Sequence, residues 1–273
     1  MPVVNGFHFD DTEKYITKMD MVMAHQGVHI VYDDGEEALY SFVTGEDAIR
    51  IDSSQKTLWL RYGCLTIRDN VRMISFEVPG NPWYECETLI LDEENGLVTR
   101  VLTTFGKLTA RPSLAQTQYT FGAVKRDGQL LPWKRHCETT ELSGKKIAWT
   151  YSNGFVNAHI YLDHFCRAQA LQRPEGSTSP LIDDPIYEEP ARFIKIRDQL
   201  YLMGVTEDHI NRRDPAAGGN NLLLLMDTET MKDIGRNFRR TPDNKKAWGF
   251  LHAFGRWYDQ PLETELAPSP NHP

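Results

Sequence analysis

His29-Ile30-Val31-Tyr32-Asp33-Asp34-Gly35 and Ala148-Trp149-Thr150-Tyr151-Ser152-Asn153-Gly154 state one pattern twice. Each alternates apolar residues up to a tyrosine, adds two turn-forming polar residues and closes on glycine, which describes a strand entering a hairpin. Each continues into a second alternating run, Glu36 to Val43 and Phe155 to Leu162. Farther along, each half reaches a strand ending in a carboxylate, Val71 to Glu77 and Leu200 to Glu207. Each then offers a run closing on an aspartate and a turn, Leu89 to Gly96 and Leu222 to Thr230. The order repeats, and the offset grows only where the second copy carries extra loop. Two copies of one small β-domain is the economical reading. Closely spaced turn signals, with no long helical period between them, favour an up-and-down antiparallel meander over βαβ units.

The bounds from composition agree with two ordinary domains. The chain has 273 residues, 40% hydrophobic and 25% charged, with a formal charge of -8. Each half is large enough to bury a core. Net negative charge argues against nucleic acid or an anionic membrane as partner. The N-terminus has neither the basic nor the apolar region of a secretory signal, and Leu222 to Met226 is too short a run to span a bilayer. Cys64, Cys86, Cys137 and Cys166 form no Cys-x-x-Cys pair. Free thiols in a reducing, cytoplasmic setting are expected.

The expected organisation is an N-terminal barrel over 1–110, a connecting segment over 111–140, a C-terminal barrel over 141–260 and a disordered tail over 261–273. Tyr15, Ile16, Met19 and Met23 sit near helical spacing behind an acidic start, which predicts a leading helix that packs on or plugs the first barrel. Phe250, Phe254 and Trp257 fall at i, i+4 and i+7, which predicts a closing helix or an aromatic docking face.

No phosphate loop, zinc-protease motif or nucleophile elbow is present, so no cofactor and no metal are expected. Chemistry would then fall to side chains. Period-two alternation puts Trp149 with Tyr151, then Asn157, His159 and Tyr161, then Tyr201, Met203 and Glu207, each set on one strand face. If those faces turn inward, a tyrosine cluster, a histidine and a carboxylate line a largely apolar cup, the usual makeup of a small-molecule pocket. Burial beside aromatics would raise the pKa of Glu207 and suit it to donate a proton. In the first copy, Tyr32, Tyr40, Arg50 and Glu77 would form the corresponding anion-binding and proton-handling group.

Glu141-Leu142-Ser143-Gly144-Lys145, His159 to Leu162, Leu200-Tyr201-Leu202 leading to Glu207, and Asp227 followed by Met231 to Arg236 resemble the MoaF-like family, named for molybdenum cofactor biosynthesis protein F. That resemblance covers most of the chain and implies two tandem lipocalin-like (calycin) antiparallel β-barrels with short flanking helices. Trp149 to Gly154 and Val205-Thr206-Glu207 are also similar to segments of phenolic acid decarboxylase, a cofactor-free calycin enzyme. There the resemblance implies that tyrosines hold a carboxylate and a glutamate handles a proton, which carries over to Tyr151 and Glu207. Trp149 stands where that family has a second tyrosine, and its carboxylate-binding arginine has no counterpart in the second copy.

The leading expectation is a cofactor-independent lyase or isomerase acting on a small aromatic or conjugated molecule. Glu207, His159 and Tyr151 would be catalytic, with Trp149, Tyr161, Asn157, Tyr201 and Met203 binding substrate. The alternative is a non-catalytic carrier of a small hydrophobic ligand, and a third reading is a homodimer docking through its aromatic C-terminal segment.

Overall fold

The structure, a computed structural model, describes residues 19–79, 85–105, 115–151, 154–172, 186–207, 220–240 and 246–260. Eight strands make the first barrel: β1 Gly27–Tyr32, β2 Glu37–Phe42, β3 Asp47–Asp52, β4 Thr57–Arg68, β5 Val71–Glu77, β6 Glu85–Asp92, β7 Leu97–Thr104 and β8 Gln116–Val124. Each pairs antiparallel with the next, and β8 returns to β1 to close the sheet. A short strand, β9 Cys137–Glu138, follows on the edge of the second unit. The second barrel comprises β10 Lys146–Tyr151, β11 Val156–Tyr161, β12 Phe165–Gln172, β13 Ile186–Arg197, β14 Leu200–Glu207, β15 Asn220–Asp227, β16 Lys232–Arg240 and β17 Lys246–Trp257. It closes through β10 against β17, while the long β13 bends from β12 to β14. Two tandem closed eight-stranded antiparallel barrels therefore account for most of the described chain, with the two-residue β9 added at the edge of the second sheet.

The duplication extends to detail. Apolar residues at alternate positions face each lumen, so Ile30, Tyr40, Phe42, Phe76 and Leu89 fill the first, and Trp149, Tyr161, Phe193, Met203 and Leu224 the second. A turn before each first strand stoppers the barrel: Met23 below β1 and Leu142 below β10 are both buried. The same backbone bonds hold both stoppers, with the amides of His25 and Gly144 donating to the carbonyls of Phe42 and Tyr161. Both residues take positive φ, 64° and 77°.

Outward faces of the two barrels pack on each other through Leu65, Met73 and Ile90 on one side and Leu202, Leu223 and Leu225 on the other. Each fully buried aliphatic side chain there contributes roughly 1.5–3 kcal/mol. Reciprocal ion pairs flank this seam. Arg68 grips Asp227 at 2.6 and 2.7 Å, and Arg197 grips Asp92 at 2.6 and 2.9 Å. Each arginine ends its strand beyond a bulge, and both carboxylates are held below the usual range, chiefly by their hydrogen bonds against the cost of burial. At the centre lies Arg236, fully buried, donating to the Thr88 and Thr103 hydroxyls and to both oxygens of Asn221.

Three expectations change. Residues 116–124, expected in the connecting segment, form the closing strand of the first barrel, so that barrel runs past position 110. Residues 246–257 form β17 rather than a closing helix. Lumen-side Gly249, Leu251, Ala253 and Gly255 alternate with outward Trp248, Phe250, His252 and Phe254. A Cβ at Gly255 would lie 2.6 Å from the Trp149 ring, so that glycine lets the indole cover the strand. The leading helix falls largely outside the described residues; of its expected span, 22–25 is a turn. No helix among the described residues is long and apolar enough to cross a membrane.

Candidate ligand-binding site

The two lumens solve their polar problem differently. In the first, Glu87 is completely buried and accepts from both the Tyr40 hydroxyl and the Arg50 guanidinium. Tyr32 adds its hydroxyl at 3.3 Å from that of Tyr40, and the Arg100 guanidinium lies 4.1 Å from the Tyr32 ring centre while pairing with Glu36 at 2.8 Å. Burial and the Glu87 charge push both phenols upward. Phe76 stacks against Tyr40 and Phe42 at 5.3 and 6.1 Å. The result is a filled interior whose buried carboxylate is paired twice, with Arg50 Nε left without a hydrogen-bond partner among the described residues.

Strand register identifies the equivalent positions in the second barrel. Tyr32 becomes Tyr151, Tyr40 becomes His159, Arg50 becomes Ala168, Glu87 becomes Leu222, Arg100 becomes Gly235 and Val98 becomes Asp233. Three long charged side chains have given way to short or apolar ones, although Leu224 takes part of the room at Gly235. One apolar position has acquired a carboxylate.

Aromatic residues wall this second lumen. Trp149 Nε1 donates to the Tyr161 hydroxyl at 2.7 Å, which in turn reaches Met226 Sδ at 3.4 Å. Tyr161 packs edge-on to His159 and to Phe193, and Tyr151 stacks with Phe155 at 6.1 Å. Among these rings sit polar atoms with no hydrogen-bond partner among the described residues: both carboxylate oxygens of Asp233, Oδ1 of Asn157 and Nδ1 of His159. Asp233 is 0% exposed, Asn157 3% and His159 5%. Burial alone drives the Asp233 carboxyl well up and the His159 imidazole down to about 4. Asn157 donates its amide to the Tyr187 hydroxyl at 2.7 Å and to His159 Nε2 at 3.2 Å, which leaves the imidazole proton on Nδ1. An unpaired polar group in a dry interior costs roughly 1–3 kcal/mol, and so many in one lumen demand a reason.

Glu207 pairs across the sheet with Asn220, and Asn220 with Arg239, at the rim near the hairpin ends of β14 and β16. It is half-buried and accepts a hydrogen bond from the Asn220 side chain. Glu207 also raises the pKa of the Tyr187 phenol, though less than burial does.

The sequence-predicted residues divide accordingly. Trp149, Tyr151, Asn157, His159, Tyr161, Tyr201, Met203 and Glu207 all belong to lumen-facing register positions of the second barrel. Tyr201 and Met203 are packed in its core, and the Tyr201 hydroxyl donates to Glu141 at 2.9 Å. In the first barrel Tyr32, Tyr40 and Arg50 meet as expected. Glu77 does not join them: it falls on the outward parity of β5, opposite the inward Phe76, and Glu87 is the carboxylate that meets Tyr40 and Arg50. Sequence reasoning missed Asp233 and Glu87. Each shares a strand parity with lumen residues, Glu87 with Leu89 and Leu91, so alternation could have found both. No group of three or more His, Cys, Asp or Glu among the described residues is placed to hold a metal ion.

Comparison with known proteins adds little. No family model matches the chain, and no curated protein does. Among solved structures, the chain is similar to a Burkholderia vietnamiensis protein provisionally described as a beta-lactamase. That match has 12% identity and a TM-score of 0.31, spanning 43% of this chain and 96% of the other.

Proposed function

We propose that this chain is a small-molecule-binding protein whose C-terminal barrel holds its ligand in the lumen, as a lipocalin-like carrier does. One observation carries the reading. Buried Asp233, Asn157 and His159 present polar atoms without a partner among the described residues to an aromatic-walled interior, whereas the buried carboxylate of the first barrel, Glu87, is paired by Tyr40 and Arg50. Ligand pockets combine apolar walls with a few such convergent polar groups. Kinship with the MoaF-like and calycin proteins belongs to the same proposal and rests on the residue pattern alone. The test is fluorescence titration with the uncharged apolar dye N-phenyl-1-naphthylamine. Wild type should bind one equivalent, and Ala168→Leu, which fills the lumen beside His159, should abolish it. Dye binding unaffected by Ala168→Leu would place the site elsewhere.

Cofactor-independent acid-base chemistry is the second reading, and the placement of half-buried Glu207 on the lumen side near Tyr187 favours it. An imidazole at about 4 is too weak a base to relay protons near neutrality, so Glu207 would act without His159. In that case Glu207→Gln should lower turnover of an identified substrate by about a hundredfold or more. Full activity in that variant would leave carriage as the function.

A further inference from the structure

The unpaired atoms of the second lumen have a chemical sign. Asp233 offers two oxygens, and Asn157, Asn220 and Asn237 each offer an unpaired Oδ1. Register turns Asn220 and Asn237 to the same side as Leu222, which packs against the lumen cluster. Against these five acceptors stand two N–H donors of the same set, the ring N–H of His159 and Nε of Arg239. The ionisable groups lean the same way. Asp233, Glu189 and Glu207 occupy lumen-facing positions, and Arg239 is the guanidinium among them. The His159 ring is neutral near pH 7. A ligand suited to these walls therefore brings hydrogen-bond donors and positive charge.

Resting on the lumen reading above, we infer that the C-terminal barrel binds organic amines as cations, with Asp233 as counter-ion and the rings of Tyr151, Trp149 and Tyr161 as walls. The carboxylate lies close enough to Tyr151 and Tyr161 to perturb both phenols, so an ammonium paired to Asp233 would sit among electron-rich ring faces. Such faces attract a desolvated cation, and the carboxylate supplies a charge-assisted bond. In the first barrel both are already taken, since the Arg100 guanidinium covers the Tyr32 ring and Glu87 pairs with Arg50, while Val98 stands at the Asp233 position. An amine carrying an aromatic or short alkyl body matches both parts of the site. Burial opposes the Asp233 charge in the free protein, and an arriving cation favours the ionised form.

The test compares three probes of one shape by calorimetry on the full-length protein near pH 7: 2-phenylethylamine, 2-phenylethanol and 3-phenylpropionate. The amine should bind at least about tenfold more tightly than the alcohol, and the anion should not bind detectably. In Asp233→Asn the amine should fall to the affinity of the alcohol, while the alcohol changes little. Equal or tighter binding of the alcohol or the propionate by wild type overturns the amine assignment and leaves the lumen as a binding site. An Asp233→Asn protein that keeps the amine preference moves the counter-ion away from Asp233 and also overturns it. Failure of all three probes, together with no dye binding, overturns both readings. The wild-type comparison stands even if the variant does not fold.

Discussion

The two barrels share a closed meander, a stopper and a seam, yet Glu87 in one and Asp233 in the other follow opposite rules. Glu87 is buried with two partners, so its charge is neutralised where it stands. Asp233 is buried as deeply with none among the described residues. A buried charge that is fully paired locks an interior; a buried acid left alone costs stability and awaits another group. On the proposed function the first barrel serves as scaffold and the second as receptor, on one backbone plan.

The comparison can be broken most forcefully at Glu87. Glu87→Gln leaves Arg50 in the lumen without its counter-charge and should cost about 3–5 kcal/mol in urea unfolding. A loss below about 1 kcal/mol would mean that the first interior is not held by this cluster.

Acid sensitivity should come from the second barrel. His159 titrates near 6.5 unfolded but near 4 when folded, since burial disfavours its charge. Below pH 6.5 the unfolded chain takes up a proton that the folded chain refuses, so stability falls until about pH 4 and then levels. This component amounts to roughly 3 kcal/mol. His159→Gln should remove it from the pH profile of the urea midpoint, and an unchanged slope in that variant would contradict the burial of this ring.

At the seam, Arg68→Ala and Arg197→Ala should cost similar amounts, roughly 2 kcal/mol each, because each leaves a fully buried aspartate without its guanidinium. Thermal denaturation of the two variants side by side would expose any asymmetry.

The smallest effect has the opposite sign. Above pH 3.8 the unfolded chain ionises Asp233 while burial resists its ionisation in the folded chain, so stability declines as pH rises. Asp233→Asn should therefore stabilise the protein by roughly 1–2 kcal/mol at pH 7, with the gain vanishing toward pH 3. Lower stability in the variant would show that the carboxyl has a partner in the unliganded protein.

Alternation carried most of the fold into view. The repeated Tyr-polar-polar-Gly hairpins marked β1–β2 and β10–β11, and parity correctly grouped Trp149 with Tyr151 and Tyr201 with Glu207. Residues 246–257 misled because Phe250, Phe254 and Trp257 match one helical face by spacing alone. The competing signal was the alternate series Gly249, Leu251, Ala253 and Gly255, three small residues and a leucine on the lumen side. Glu77 misled for a related reason. It ends its strand as Glu207 does, but register aligns it with Thr206, one position off, and a single step reverses the face. Asp233 was hidden because partner loss is a property of the surroundings. Alternation says where a side chain points, and only the packed barrel says that nothing answers it.

Arg68 with Asp227 and Arg197 with Asp92 are one contact written twice about a pseudo-dyad. This is how two identical subunits meet, since a symmetric dimer uses one patch against itself. In such a dimer any substitution strikes both subunits at once, so a lumen could not be emptied for cargo without also hollowing out its companion. Joining the copies in one polypeptide removes that constraint. One half is free to sacrifice rigidity while the other preserves the shared junction, and an unpaired aspartate on one side of the dyad opposite a valine on the other is a difference that only a fused pair can keep.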